Sequence, residues 1–186
     1  MISRISEMRN SIQSGDWSNP STWSSGVVPT SDDGVYVSPG DTVKINDTTA
    51  ESFSVIVSGI LRFSRTDNTR LKTRTILVLE SGYLEIGTAA NPLDLNFSAE
   101  IILYGDGIID MGKTVIRGAI PSTNEDFKPS RNITIRSGGQ SGQLPVLIFG
   151  PKASVDIQYI LFNEMGPPMV CRPVTINEPP HEYSGN

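Results

Sequence analysis

The chain has 186 residues with 37% hydrophobic content, a length for one domain and a composition too apolar for disorder. Its net charge of −5 and pI of about 4.9 argue against nucleic acid as a partner, because phosphates require clustered Lys and Arg. A lone cysteine, Cys171, excludes an internal disulfide, and no run reaches the ~18 apolar residues of a membrane-spanning helix, so no membrane partner is expected.

The first element is an N-terminal cap over residues 1–13. Ile2, Ile5, Met8 or Arg9, and Ile12 fall close to helical spacing, which predicts a short amphipathic helix over 2–12; the alternative is a frayed arm. Charges at Arg4, Glu7 and Arg9 and the lack of an apolar centre exclude a signal peptide. Export would then need another route or a leader outside this sequence.

Residues 15–37, GDWSNPSTWSSGVVPTSDDGVYV, hold both tryptophans in a loop-like setting of Gly, Ser, Pro, Asn and Asp. Rings of that size contribute large buried areas, so Trp17 and Trp23 are expected to pack as a lid on the first layer of whatever follows.

From residue 35 onward, apolar and polar residues alternate in short runs, the period of strands. Four runs share a small or acidic residue, a glycine, one variable residue and then alternation: PGDTVKI at Gly40, SGILRF at Gly59, SGYLEI at Gly82 and DGIIDM at Gly107. The glycines lie 19, 23 and 25 residues apart. A unit of about 20–25 residues without a helical pattern predicts a solenoid of strands. The expected fold is therefore all-β, a single-stranded right-handed parallel β-helix over 14–177, with a tail at 178–186. Segment 117–131 reads as a long excursion and 137–145 as a glycine-rich loop. The C-terminal NEPPHEYSGN resembles no cap, which leaves a fragment, a further domain or a second copy as expected neighbours of the last layer.

The 15–37 stretch resembles the opening signature of the eight-glycine (G-eight) domain, G-x-W-x-x-x-x-T-W followed by a glycine, a proline, an acidic pair and a strand. Gly15, Trp17, Thr22, Trp23, Gly26, Pro29, Asp32, Asp33 and Val35 fall on it. GILRF, LKTRTILVLESGYLEIGTAANP and IILYGDG resemble the body of the same family, so the likeness covers residues 14–166. It implies a β-helical module of extracellular proteins such as fibrocystin, the animal hyaluronan-processing proteins and bacterial and phage surface proteins. Polysaccharide contact is the implied theme. One departure stands out. Where relatives carry an R-Y-P-I-H-F-H-like motif, this chain reads NEMGPPMVCRPVTIN. Arg172, Pro173, Val174 and Ile176 keep the frame, but Thr175 and Asn177 occupy the histidine positions. The only histidine, His181, lies in the tail.

No nucleophile elbow accompanies Cys171, and one Cys with one His cannot make a zinc site. No cofactor is expected. Calcium is the open alternative, through Asp32, Asp33, Asp106 and Asp110, although none sits in an EF-hand pattern and an Asp in a turn usually bonds its own backbone. The strongest constellation comes from alternation. With Ile133 and Ile135 inward, Asn132, Thr134 and Arg136 face out. With Val155, Ile157, Tyr159 and Leu161 inward, Asp156 and Gln158 face out. With Val174 and Ile176 inward, Thr175 and Asn177 face out. Stacked about 4.8 Å apart, these would form a polar ladder for sugar hydroxyls, though water alone explains a polar outer face. The expected function is a non-catalytic extracellular, virion or cell-surface module that binds a polysaccharide or glycan. The alternatives are a polysaccharide hydrolase or lyase acting through Asp156, Glu164 and Arg172, and a purely structural segment of a larger chain or homo-oligomer.

Overall fold

The computed structural model describes residues 8–119, 132–139, 144–149, 152–166 and 169–170. Strands β1 (Met8–Asn10) and β2 (Gly15–Asp16) precede a single 3-10 turn at Pro20–Thr22. Next come β3 (Gly34–Val37), β4 (Thr42–Ile45), β5 (Ala50–Glu51), β6 (Ser54–Val57) and β7 (Ile60–Phe63). The middle holds β8 (Thr69–Val78), β9 (Tyr83–Ile86), β10 (Ala99–Asp110) and β11 (Lys113–Arg117). The last described strands are β12 (Ile133–Ser137), β13 (Val146–Phe149), β14 (Ser154–Gln158), β15 (Ile160–Asn163) and β16 (Met169–Val170). Among the described residues no helix is long and apolar enough to cross a membrane.

The protein is all-β, and every strand ladder among the described residues is parallel. One sheet runs β1-β3-β6-β8-β10-β12-β15, with β5 on β8 and β13 and β16 continuing from β10; the other runs β14-β11-β9-β7-β4-β2. Alternation decides the register, since a one-residue slip would turn every core side chain to solvent. Val43, Leu61, Leu84 and Thr114 stand in one row. Val55, Ile76, Ile109 and Leu147 make a second, and Leu71, Ile101 and Ile135 a third. All are buried, so neighbours in a row shield one another from water.

Glycines sit where the backbones of successive layers touch. A Cβ on Gly59 would lie 2.2 Å from the Ser38 carbonyl oxygen, and one on Gly82 would lie 1.9 Å from that of Val57. Gly40 meets nothing but holds φ +87°, a conformation that L side chains rarely adopt. These three open β4, β7 and β9. Gly107 does not open a strand. It lies inside β10, at the register shift between Leu103 and Ile108, where its Cβ would meet the Arg74 carbonyl oxygen at 2.7 Å. The position equivalent to Gly82 belongs to Gly112, whose Cβ would lie 2.3 Å from the Val78 carbonyl oxygen. A bulge and a corner both need glycine, so the short motif marks either.

Two further expectations are corrected. Met8–Asn10, inside the expected helix over 2–12, is the parallel edge strand β1 on β3, and Ile12 is 63% exposed. A helix this short is marginal in water, whereas the sheet edge offers unpaired donors and acceptors. Residues 1–7 lie outside the described residues. Run 155–162 is likewise two strands in different sheets. The chain turns at Tyr159, with φ 58°, so Ile160 is buried while Tyr159 and Leu161 are exposed.

Candidate functional site

A concavity among the described residues lies on the outer side of the first sheet. Alternation in β8 buries Leu71 and Thr73 and turns Lys72 and Arg74 outward. Register places Glu51 opposite Lys72, and Lys72 opposite Ile102. Beside that row the backbone is stitched layer to layer. The Phe53 N–H donates to the Asp33 carbonyl (2.7 Å), that of Arg74 to Phe53 (3.1 Å), and that of Gly138 to Leu103 (2.7 Å). The result is a groove of about 520 Å³ that crosses the strands from Ser31 and Asp32 to Gly105 and Gly138. It spans four interlayer steps of about 4.8 Å, or about 19 Å.

Its floor is aromatic. The Tyr104 hydroxyl donates to the Ser52 carbonyl at 2.7 Å, which lays the ring along the groove. Burial raises the Tyr104 pKa above 10.0, the carboxylates of Glu51 and Asp32 add to the rise, and Arg74 opposes it. The Arg74 guanidinium lies 5.8 Å from the Phe53 ring centroid and pairs with Asp106. Among the described residues, the side chains of Asp32, Glu51 and Lys72 have no hydrogen-bond or ion-pair partner.

The tryptophan segment has a structural explanation for several of its signature residues. Trp17 and Trp23 are 2% and 1% exposed, edge to face with centroids 5.1 Å apart. The Trp23 indole N–H donates to the Trp17 carbonyl at 2.8 Å. The buried Thr22 hydroxyl donates to the Asp16 carbonyl at 2.9 Å, and Gly15 is required because a Cβ there would lie 2.5 Å from that hydroxyl. Pro29 is buried. Buried Asp33 accepts from the Thr30 N–H and hydroxyl, each at 2.9 Å, and pairs with Arg9 at 3.3 Å.

The polar ladder expected from sequence is not one face. Thr134 and Arg136 lie on β12 in the first sheet, Asp156 and Gln158 on β14 in the second. The partners in register with β12 are on β15, with Thr134 opposite Leu161 and Arg136 opposite Asn163. The turn at Tyr159 is the cause. Asn132 is a clip. Its amide N–H groups donate to the carbonyls of Asp94 (2.8 Å) and Phe97 (2.9 Å), and its Oδ1 accepts from Ala119 N–H at 3.0 Å. Arg136 pairs with Glu100 at 2.6 Å, and Arg117 with Asp156 at 2.5 Å. Glu164, with φ 52°, follows β15 of the first sheet, whereas Asp156 lies on β14 of the second. Arg172, Thr175, Asn177, Cys171 and His181 lie outside the described residues.

Of the four aspartates considered for calcium, Asp32 lines the groove, Asp33 and Asp106 have the partners above, and Asp110 accepts from Gly112 N–H at 3.2 Å. No group of three His, Cys, Asp or Glu side chains among the described residues could hold a metal ion.

Glu51, Phe53, Lys72, Arg74 and Tyr104 escaped the sequence reading. One signal was available: alternation in TRLKTR puts three cations, Arg70, Lys72 and Arg74, on the outer face.

Together these features define an all-β module of parallel sheets with an open, partly aromatic surface groove. A family model described as the G8 domain matches residues 22–140. The chain belongs to the G8 domain family, and the groove, from Ser31 to Gly138, lies wholly within the matched span. No curated protein and no solved structure matches the chain.

Proposed function

We propose that the protein is a non-catalytic extracellular or surface-displayed module that binds glycan chains in this groove, on a right-handed parallel β-helix. The three buried rows are the inner faces of its turns. Right-handedness follows from the near-universal hand of parallel crossovers. The extracellular setting rests on the family.

One observation carries the binding role. A single elongated groove combines the aromatic surfaces of Phe53 and Tyr104 with the unpartnered polar ends of Asp32, Glu51 and Lys72. Sugars present apolar C–H faces and hydroxyl edges. Rings receive the first, and charged groups make the stronger hydrogen bonds to the second. Few convergent polar groups in an apolar-lined cleft are the usual form of a ligand site.

The test is a glycan array followed by titration calorimetry. Binding should survive Asp156→Asn and fall at least tenfold in Phe53→Ala/Lys72→Ala. Absence of binding to any glycan at millimolar concentration, or equal affinity in the groove variant, refutes the role.

A further inference from the structure

We infer that the groove takes an extended, uncharged, β-linked glycan, one sugar per layer, with the chain running along the direction in which the strands stack. This rests on the glycan-binding reading and names the class of glycan. The groove contributes a wall position at each layer it crosses: Asp32 before β3, Phe53 before β6, Lys72 and Arg74 on β8, Tyr104 on β10 and Gly138 after β12. Those strands are neighbours in the sheet in that order. Backbone bonds from Phe53 to Asp33, from Arg74 to Phe53 and from Gly138 to Leu103 hold the layers together along the groove. The wall therefore repeats at about 4.8 Å over about 19 Å. A ligand that touches every layer must repeat at a similar distance. Pyranose rings joined by β linkages through opposite ring positions advance the chain by nearly one layer each, so about four fill the groove. An α-linked chain coils away from such a line. An extended peptide rises only about 3.3 Å per residue, and it docks beside a strand rather than across several.

Charge along the wall balances. Among the lining residues, Asp32 and Glu51 are offset by Lys72 and Arg74, and Glu51 stands opposite Lys72 in register. Around them, Asp106 pairs with Arg74 and Glu100 with Arg136, while the Arg70 guanidinium donates to the Thr48 carbonyl at 3.0 and 2.8 Å. A polyanion or a polycation meets as much repulsion as attraction there, whereas sugar hydroxyls find both donors and acceptors. The groove is also open at both ends. Ser31 and Asp32 are exposed at one; at the other, Gly138 carries no side chain and Gly105 has open space where a Cβ would stand. A long chain can therefore continue past the groove in either direction, so the site reads interior segments rather than a terminal sugar.

The experiment measures affinity by titration calorimetry for β-1,4-linked glucose dimer, tetramer and hexamer, for the α-1,4-linked series of the same lengths, and for the β-1,4-linked glucuronate tetramer. Contact with two further layers should make the β-linked tetramer about tenfold tighter than the dimer, with the hexamer within about threefold of the tetramer. The α-linked tetramer should gain less than about twofold over its dimer. The glucuronate tetramer should bind no tighter than the β-linked glucose tetramer. Phe53→Ala removes one ring from the wall and should weaken the β-linked tetramer about three- to tenfold. Equal affinities for β-linked dimer and tetramer, the same gain with length in the α-linked series, a preference for glucuronate, or tetramer binding untouched by Phe53→Ala overturns the inference. If none of these oligomers binds while the array shows other glycan ligands, the inference alone falls; if the array is silent as well, the glycan-binding reading falls with it.

Discussion

Trp23→Ala tests the lid on the first layer. The indole is 1% exposed, packs edge to face on Trp17 with centroids 5.1 Å apart, and donates to the Trp17 carbonyl at 2.8 Å. Truncating a buried Trp costs about 3–5 kcal/mol, a large part of the roughly 5–15 kcal/mol that holds a domain folded. At about 2–4 °C per kcal/mol for a chain of this size, the melting temperature should fall by about 6–20 °C. Trp23→Phe keeps a ring but strands the Trp17 carbonyl, at about 1–3 kcal/mol for the lost partner. Trp17→Phe is the control, because the Trp17 indole N–H is buried without a hydrogen-bond partner and its removal relieves an unsatisfied donor. The order should be Trp17→Phe least destabilising, Trp23→Phe next and Trp23→Ala worst. Urea unfolding followed by circular dichroism measures all three without relying on tryptophan emission. A Trp23→Ala protein within about 0.5 kcal/mol of the parent, the range of a surface change, refutes the lid.

Other perturbations separate corner from bulge and structure from site. Gly82→Ala drives a Cβ to 1.9 Å from the Val57 carbonyl oxygen and should yield little folded protein, while Gly40→Ala, with open space at φ +87°, should cost only about 1 kcal/mol; similar soluble yields and melting temperatures would contradict the close approach. Asn132→Asp sets a carboxylate oxygen against the Asp94 and Phe97 carbonyls and should lower the melting temperature more than Asp156→Asn, whose partly exposed pair with Arg117 is worth at most about 1 kcal/mol. Burial, chiefly, raises the pKa values of Tyr83 and Tyr104, aided by Glu85 and Asp156 at the first and Glu51 and Asp32 at the second. Each therefore contributes stability that is full below pH 10.0 and is lost as pH rises from there through the raised folded value. Tyrosinate absorbance should show two groups ionising late in the folded protein, and the urea midpoint should fall above pH 10.0; all tyrosines titrating together at the free value would contradict this.

Much of the strand layout was legible because alternation carries direct information about burial. Val55, Ile76 and Ile109 share a row because each is the apolar member of a period-two run. The tryptophans were legible as packed residues from size alone. Local periodicity could not show where a run changes sheets. The run from Val155 to Phe162 keeps its apolar alternation in sequence, but Tyr159 adopts a left-handed backbone, and in the strand that follows only Ile160 is buried. That single residue divides the expected ladder between two sheets. Gly107 misled for a related reason, since a bulge in a long strand and a corner between strands need the same residue. The groove was hardest to see. It depends on Asp32, Glu51 with Phe53, Arg74 and Tyr104 arriving at one place from four separate segments, and no short-range pattern encodes that meeting. Only Lys72 and Arg74, outward on one strand, left a trace in the sequence.

The most direct measurement is a titration of isotope-labelled protein with a bound oligosaccharide, following backbone amide shifts by nuclear magnetic resonance. The account predicts that shifts cluster at Glu51, Phe53, Lys72, Arg74, Tyr104, Gly105 and Gly138 and leave Thr134, Asp156 and Gln158 unmoved. Shifts confined to those last three, with silent groove amides, would contradict it.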